Sequence, residues 1–397
     1  MVDTHFDLAR AETGFNAAAA SRANEYVSLT AVPVREWSAL HARAIEPNAF
    51  YSPEWALAVT RHVPGDEDIH ALLAWDSPAK KRLIGFLPVT STWRALKLPL
   101  PALVTWHGYV PLATPLLDKD HAVEAAAGLL AAAKAAGAHA LILSALPNDG
   151  PAAAAIRTAL AREHRAPRVL HGESRALLDA TADADSLLQE ALGSKKLKEL
   201  RRQRNRLADD GEVRFSVSVS PQQTEAALEQ FLKLEAAGWK GKRGTALGSQ
   251  DGLTRFVKEA VRKLAPQGRV EVATLTRGAD VIATGLIVRH AERAYFFKIA
   301  HDEKLSKCSP GVQLTLDVTR YLCADEAVRS VDSTATADHP MIDHIWKGRL
   351  DIAETLVPLR AGYSAPLFAS LISARRTLRE GARRIVNRYR AFKEKSS

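Results

Sequence analysis

The sequence predicts an α/β protein built from two tandem mixed-sheet units and closed by a basic C-terminal helix. Three observations carry this reading. The chain has 397 residues, more than one ordinary core holds. One order of strand-like and helix-like periodicities occurs twice. Positive charge gathers from Ser373 onward, where nine Lys or Arg face two Glu and account for +7 of the chain's net +9.

The second copy is the clearer. An alternating β-branched run, Val213 to Ser220, meets Pro221, which suits a first helical turn, and a helix is expected to about Trp239. A second helix runs from about Asp251 to Leu264 and stops at APQG. Three strand-like runs follow, RVEVATL, ADVIATGLIVRH and RAYFFKIAHDE, with RGAD as a tight turn between the first two. Ser309-Pro310-Gly311 opens a helix to about Cys323. RSVDSTA reads as a strand, His339 to Lys347 as a short helix and DIAETLVPL as the last strand. The order is β-α-α-β-β-β-α-β-α-β.

The first copy repeats it with weaker signals. YVSLTAV is a strand, Val34 to Ile45 and Pro53 to Val63 are helices, and HALLAWDS with KRLIGFLPVT forms a hairpin pair. TWHGYVPL takes the next strand position, then Ala122 to Ala136 a helix, HALILSAL a strand, Pro151 to His164 a helix and PRVLHGES a strand. The similarity lies in element order, not in residues. Domain boundaries follow: a leader without regular structure over 1–25, units over 26–185 and 212–365, a basic connecting helix over 186–211 and a basic tail over 366–397. Helical spacing in the connector sets Leu197, Leu200 and Leu207 on one side.

Composition excludes several classes. Two cysteines, Cys308 and Cys323, cannot build a disulfide framework, which points to a reducing compartment. The N-terminus lacks the charged-then-apolar layout of a signal peptide. No run approaches the roughly 18 apolar residues of a spanning helix. A cytoplasmic protein is therefore expected. With the tail set aside the chain is close to neutral, so general nucleic-acid binding is not expected. The tail places Leu378, Ala382, Ile385, Tyr389 and Phe392 at helical spacing among arginines, a pattern suited to packing on its own protein, to peripheral contact with the inner membrane, or to a nucleotide messenger. Arg202 and Arg206 also match the short Arg-x-x-x-Arg pattern used for cyclic-di-GMP, a regulator to be considered.

The stretches SKKLKELRRQRNRLADDGEVRF, FLKLEAAGWKGKRGTAL, YFFKIAHDEKLSKCSPGVQL and DHPMIDHIWKGRL, together with the duplicated order, resemble the GNAT acyltransferases, in the FemAB-like branch with two tandem GNAT-like mixed-sheet domains. Within that branch they resemble the CelD/BcsL-like group of exopolysaccharide biosynthesis, which includes holdfast-polysaccharide acyltransferases. The resemblance covers Ala191 to Leu359. In the first unit it rests on FYSPEWALAV and HGYVPLATPLLD. It implies an acyl-CoA, such as acetyl-CoA, as co-substrate, no metal, and an amino sugar or polysaccharide precursor as acceptor. One departure stands out. The GNAT Gly-rich pyrophosphate loop is replaced by Lys307-Cys308-Ser309-Pro310-Gly311-Val312-Gln313. Fem-type relatives use aminoacyl-tRNA as donor, and that alternative stays open, as does long-chain lipid N-acylation.

The resemblance sets the donor carbonyl against backbone near Phe297, Lys298 and Ile299. Ser309 as N-cap, Pro310, Gly311 and Gln313 open a helix whose N-terminus favours a phosphate, with Lys304 and Lys307 nearby. Acyl transfer to an amine also needs a proton acceptor. Glu235 lies one helical turn from Trp239, and a carboxylate beside an indole would have a raised pKa. Asp302, at the end of the strand, and His339, before Pro340, are the other candidates. His339 and His344 are five apart, a spacing that does not align two zinc ligands on one helical face. Trp346 and Arg349 are expected to shape the acceptor pocket, and His107 and Tyr109 to line its far side.

Overall fold

The computed structural model describes residues 24–66, 68–106, 108–360, 362 and 366–378. Nearly all of the expected leader, and the tail past residue 378, lie outside these. The first half contains β1 (Asn24–Ser28), α1 (Val34–Ala42), α2 (Pro53–His62), β2 (His70–Trp75), β3 (Leu83–Ser91), α3 (Thr92–Leu96), β4 (Ala102–Thr105), β5 (Leu116–Leu117), α4 (Ala122–Ala135), β6 (Ala140–Pro147), α5 (Pro151–Ala161) and β7 (Arg168–Asp179). Ser52 caps α2 by accepting from Trp55 N, and Pro53 fills its first position. The strand expected over TWHGYVPL begins earlier, at Ala102. Trp106 N–H still bonds Pro88 O at 3.0 Å, but the ladder goes no further, since Tyr109 takes φ 50 and Pro111 has no N–H.

α6 (Ala184–Ala208) joins the halves, and Gly193, at φ 70, breaks its course. Leu200 and Leu207 are buried and Leu197 half-buried, as their spacing predicts. The second half contains β8 (Val213–Val217), α7 (Pro221–Ala237), α8 (Trp239–Lys242), α9 (Asp251–Leu264), β9 (Val270–Arg277), β10 (Asp280–His290), β11 (Arg293–His301), α10 (Pro310–Cys323), β12 (Ser330–Asp332), α11 (Ile342–Ile345) and β13 (Gly348–Pro358). A further helix, α12, covers 366–378. The helix expected to reach Trp239 ends at Ala237 because Gly238 is extended, at φ −85 and ψ −170.

All strands join one mixed sheet in the order β1-β2-β3-β4-β6-β13-β7-β12-β11-β10-β9-β8, with β5 pairing to β3. Leaving β5 aside, the order reads the same from both ends. β13 pairs with β6 and β7 with β12, so each half sends its last strand beside the other's fifth. Arg175 of β7 secures the exchange with a buried 2.5 Å ion pair to Asp332 of β12 and a 2.9 Å bond to Pro111 O.

The halves also share a core. Trp55 of α2 meets Phe256 of α9 edge-on at 5.1 Å between ring centres. Such a pair adds roughly 0.5–1.5 kcal/mol beyond its buried area. His41 and His290 stack at 3.6 Å between the same two halves. α12 buries Phe368, Ala369 and Ile372 against Ala102, Val104, Ile142 and Leu356. Of the residues on which packing of the tail was considered, Leu378 is exposed and Ala382, Ile385, Tyr389 and Phe392 lie outside the described residues.

Candidate active site

β11 and β12 run parallel and pair only from Arg293–Ser330 to Tyr295–Asp332; beyond Tyr295 they separate into a V. On its other edge β11 stays paired to β10, but the register slips between Leu286 and Ile287, leaving Phe297 as a bulge. The first half holds that bulge. The Phe297 ring stands 4.9 Å from Trp55 and 5.6 Å from Phe50. At the apex of the V, Thr334 donates its hydroxyl to Phe296 O at 3.0 Å and lies 3.3 Å from Phe297 O.

Two chambers open on this V. One, of about 250 Å³, is lined by Leu234, Glu235, Trp239, Lys240, Ile299, Ala300, His301, Glu303, His339 and Met341. The other, of about 510 Å³, is lined by Tyr109, Val110 and Pro111 of the first half, by 296–299 and by 333–336. Trp239, Lys240, Ile299, His339 and Met341 border both.

Lys240 sits at the junction. Its ammonium donates to Ile299 O at 2.9 Å and lies 3.4 Å from Glu235 Oε1, which is also 3.4 Å from Lys298 Nζ. Glu235 is sealed from solvent, and its second oxygen accepts from Leu247 N at 2.8 Å. Burial holds the Lys240 ammonium below its ordinary pKa; Glu235 opposes this and Lys298 adds to it. The expected indole neighbour of Glu235 is thus replaced by two ammonium groups. Because the helix breaks at Gly238, Trp239 starts a new turn, stands half-exposed and stacks under Arg243 at 5.1 Å.

His339 reaches both chambers while Nδ1 accepts weakly from Met341 N and Ile342 N, at 3.3 and 3.4 Å. With Nδ1 so used, the neutral ring carries its proton on Nε2 and presents a donor. Burial lowers its pKa, with Asp343 opposing and Lys240 assisting. His301, which sequence reasoning did not single out, ends β11 in the smaller chamber. Burial also lowers its pKa, so its ring is neutral at pH 7 and can accept a proton.

The N-terminus of α10 departs from expectation. Ser309 is left-handed, φ 51 and ψ 53, and makes no cap bond. Gly311 faces a close neighbour, but it is His301: an added Cβ would lie 3.1 Å from its Nδ1, so the ring would have to shift by a few tenths of an ångström. Gln313 is buried and donates to Leu200 O at 2.8 Å, anchoring α10 to α6. Pro310 occupies the first turn as expected, and Gly311 and Val312 remain there as N–H donors with no acceptor in the helix. Lys304 and Lys307 are exposed on the preceding turn.

Of the residues expected at the site, Phe297, Lys298, Ile299, Glu235, Trp239, His339 and Tyr109 converge on the two chambers. Asp302 does not line them; its carboxylate accepts from Lys304 N at 2.9 Å and orders the turn. Trp346 is core, 1% exposed, donating to Thr319 Oγ1 at 2.9 Å. Arg349 bonds Trp346 O and Gly348 O at 2.8 and 2.9 Å, bracing its own turn. His107 lies outside the described residues. Lys240, His301 and Thr334 were missed. The only signal for Lys240 was its place beside Trp239 in WKGKRG, since burial is not visible in that run.

A mixed sheet splayed between its fourth and fifth strands, over the N-terminus of the intervening helix, is the architecture of the GNAT N-acyltransferases. Residues 194–340 match the family model described as acetyltransferase (GNAT) domain, and the chain carries an N-acyltransferase domain of this type. No curated protein matches the chain. Among solved structures, it is similar to the C-terminal domain (DUF2156) of a protein described as a lysylphosphatidylglycerol synthetase from Agrobacterium fabrum, with a TM-score of 0.53 at 15% identity over 86% of this chain and 94% of that one. It is similar also to FemX, with a TM-score of 0.52 at 12% identity over 88% of this chain and all of that one. At such identities the likeness is one of fold. Among the described residues, no helix is long and apolar enough to cross a membrane.

Proposed function

We propose that the protein transfers an acyl group from acyl-CoA, acetyl-CoA in the simplest case, to the amine of an amino sugar during assembly of an exopolysaccharide or envelope polysaccharide. The observation that carries this reading is the V beyond Tyr295, which leaves the β12-facing edge of β11 from the Phe297 bulge onward without a paired strand, while its other edge stays on β10. An extended acyl-pantetheine arm fits that edge. Its phosphates would meet the Gly311 and Val312 N–H groups and the Lys304 and Lys307 side chains. Bound there, acyl-CoA supplies an activated thioester carbonyl.

The chain's own residues then have separable tasks. Backbone N–H groups near the bulge are set to polarise the carbonyl. His339 orients the acceptor through Nε2–H. The neutral His301 ring takes the proton released by the amine. Calorimetric titration with acetyl-CoA tests the donor: saturable binding is expected, and its absence for every chain length tried would remove acyl-CoA. Chain-length profiling also separates acetyl transfer from long-chain lipid N-acylation.

A second reading, aminoacyl transfer from tRNA, is favoured by one feature, the helix N-terminus partly covered by His301 without a Gly-rich loop. Transfer dependent on charged tRNA would establish it. The CelD/BcsL-like role, the domain limits, the cytoplasmic setting with peripheral inner-membrane contact through the basic tail, and control by cyclic-di-GMP are parts of the same proposal. They rest on the sequence motifs and the arginine-rich helices. Binding of that nucleotide by a catalytically silent protein would favour an effector role instead.

A further inference from the structure

Resting on the acyl-transfer reading, we infer that the larger chamber is built for an acceptor that carries an anionic group, a phosphate or a carboxylate, close to its reacting amine. The inference starts from charge. Lys240 and Lys298 both line this chamber, and no Asp or Glu lines it among the described residues. Behind them, one sealed carboxylate, Glu235, is shared by both ammonium groups at 3.4 Å each. Among the described residues, one positive charge is left without a carboxylate of its own at the wall of a recessed site. A cation taken out of water is costly unless paired, so such a residue marks a place where a ligand completes the pairing.

Donor geometry says which lysine does the binding. Lys240 commits one N–H to Ile299 O and another towards Glu235. Lys298 has Glu235 as its one charged or hydrogen-bonded partner among the described residues, which leaves two of its three N–H donors for a ligand. Ser333, Thr336 and Tyr109, residues with hydroxyl groups, line the same chamber, and such groups suit sugar hydroxyls and phosphate oxygens alike. Lys298 follows the Phe297 bulge directly, so an anion held there lies within a residue or two of the backbone that faces the donor carbonyl. The acceptor class is therefore an amino sugar bearing phosphate, or an amino sugar acid, in preference to a neutral amino sugar.

The test is calorimetric, on the full chain, with three probes that share one ring: glucosamine, glucosamine 1-phosphate and glucosaminuronic acid. The two charged probes are expected to bind at least tenfold more tightly than glucosamine. Their relative affinities separate phosphate from carboxylate. In Lys298→Gln the advantage should fall below threefold, and in Lys298→Arg it should persist, which guards against a variant that merely misfolds. Equal binding of all three probes, no binding of either charged probe, or a preference that survives Lys298→Gln would overturn the inference. Acetyl-CoA is titrated separately into the unmodified protein. Failure there removes the proposed donor and leaves the acceptor result standing, so the two readings fail independently.

Discussion

Lys240 donates its ammonium to the main-chain carbonyl of Ile299 across 2.9 Å, tying the turn after α7 to the free edge of the splayed strand. Both bonded residues border both chambers. The other partner of Lys240, Glu235, reaches back into the helix, so the helix end, the splay and the buried charge form one unit.

Lys240→Met should therefore impair turnover more than stability. Glu235 keeps Lys298 and Leu247 N as partners, so the melting temperature should fall only slightly, by about 2–4 °C. Loss of a charge-assisted bond at the reacting edge should lower kcat/KM at least tenfold, as measured by acyl-CoA-dependent thiol release. Lys240→Arg should recover part of it.

Glu235→Ala has the opposite character. Removing the one carboxylate strands two recessed ammonium groups, a change that costs about 3–5 kcal/mol in buried ion pairs. Denaturant unfolding should show that loss at neutral pH. A variant as stable as the parent would mean that the lysines are paired elsewhere.

The strand exchange is tested by Asp332→Ala. Arg175 would be left buried, with Pro111 O as its remaining hydrogen-bond partner among the described residues, again at about 3–5 kcal/mol. The double variant Asp332→Ala with Arg175→Met should be more stable than Asp332→Ala alone. Additive losses in this cycle would show that the two residues do not interact.

Acid should loosen the contact between halves. Burial, then the neighbouring His290 and Arg269, push His41 well below its ordinary value, and burial, with Arg269 next, pushes His290 down to about 4. Its ring accepts from Asn48 N at 2.9 Å and bonds His41 O at 2.9 Å, an arrangement that a second ring proton disrupts. Arg269, Glu54 and Arg293 are the charged groups nearby, and Arg269 is paired to Glu54 at 3.3 Å. For a depressed folded-state pKa, stability is full above the unfolded value near 6.5 and is lost as pH falls towards 4. The loss from His290 amounts to about 3 kcal/mol across that window. Urea midpoints measured from pH 7 to 4 should fall accordingly, and His290→Gln should flatten the slope.

Trp346→Ala should destabilise by about 3–5 kcal/mol, as core truncations of large aromatics do. The KM for acceptor should hardly change, because the ring bonds Thr319 and packs behind Phe296, 6.0 Å between centres, without itself lining either chamber.

Much of this protein was legible in the residues. Hydrophobic periodicity placed most strands and helices, and the repeated order announced two equivalent halves, because burial on one face writes itself into spacing. The family-like runs located the splay at Phe297 to Ile299. Boundaries slipped where a single backbone conformation decided them, at Gly238 and Tyr109.

What the sequence could not decide was partnership. Trp346, Arg349, Asp302 and Gln313 have the chemistry of site residues, yet each is satisfied by a nearby bond that turns it inward or along its own turn. Lys240 reads as one basic residue in a basic run, and only the break at Gly238 delivers it to Ile299. The exchange of β7 and β13 between halves was invisible for the same reason. Spacing along the chain records which face of an element is buried, while which element covers that face is set by packing among residues far apart in sequence.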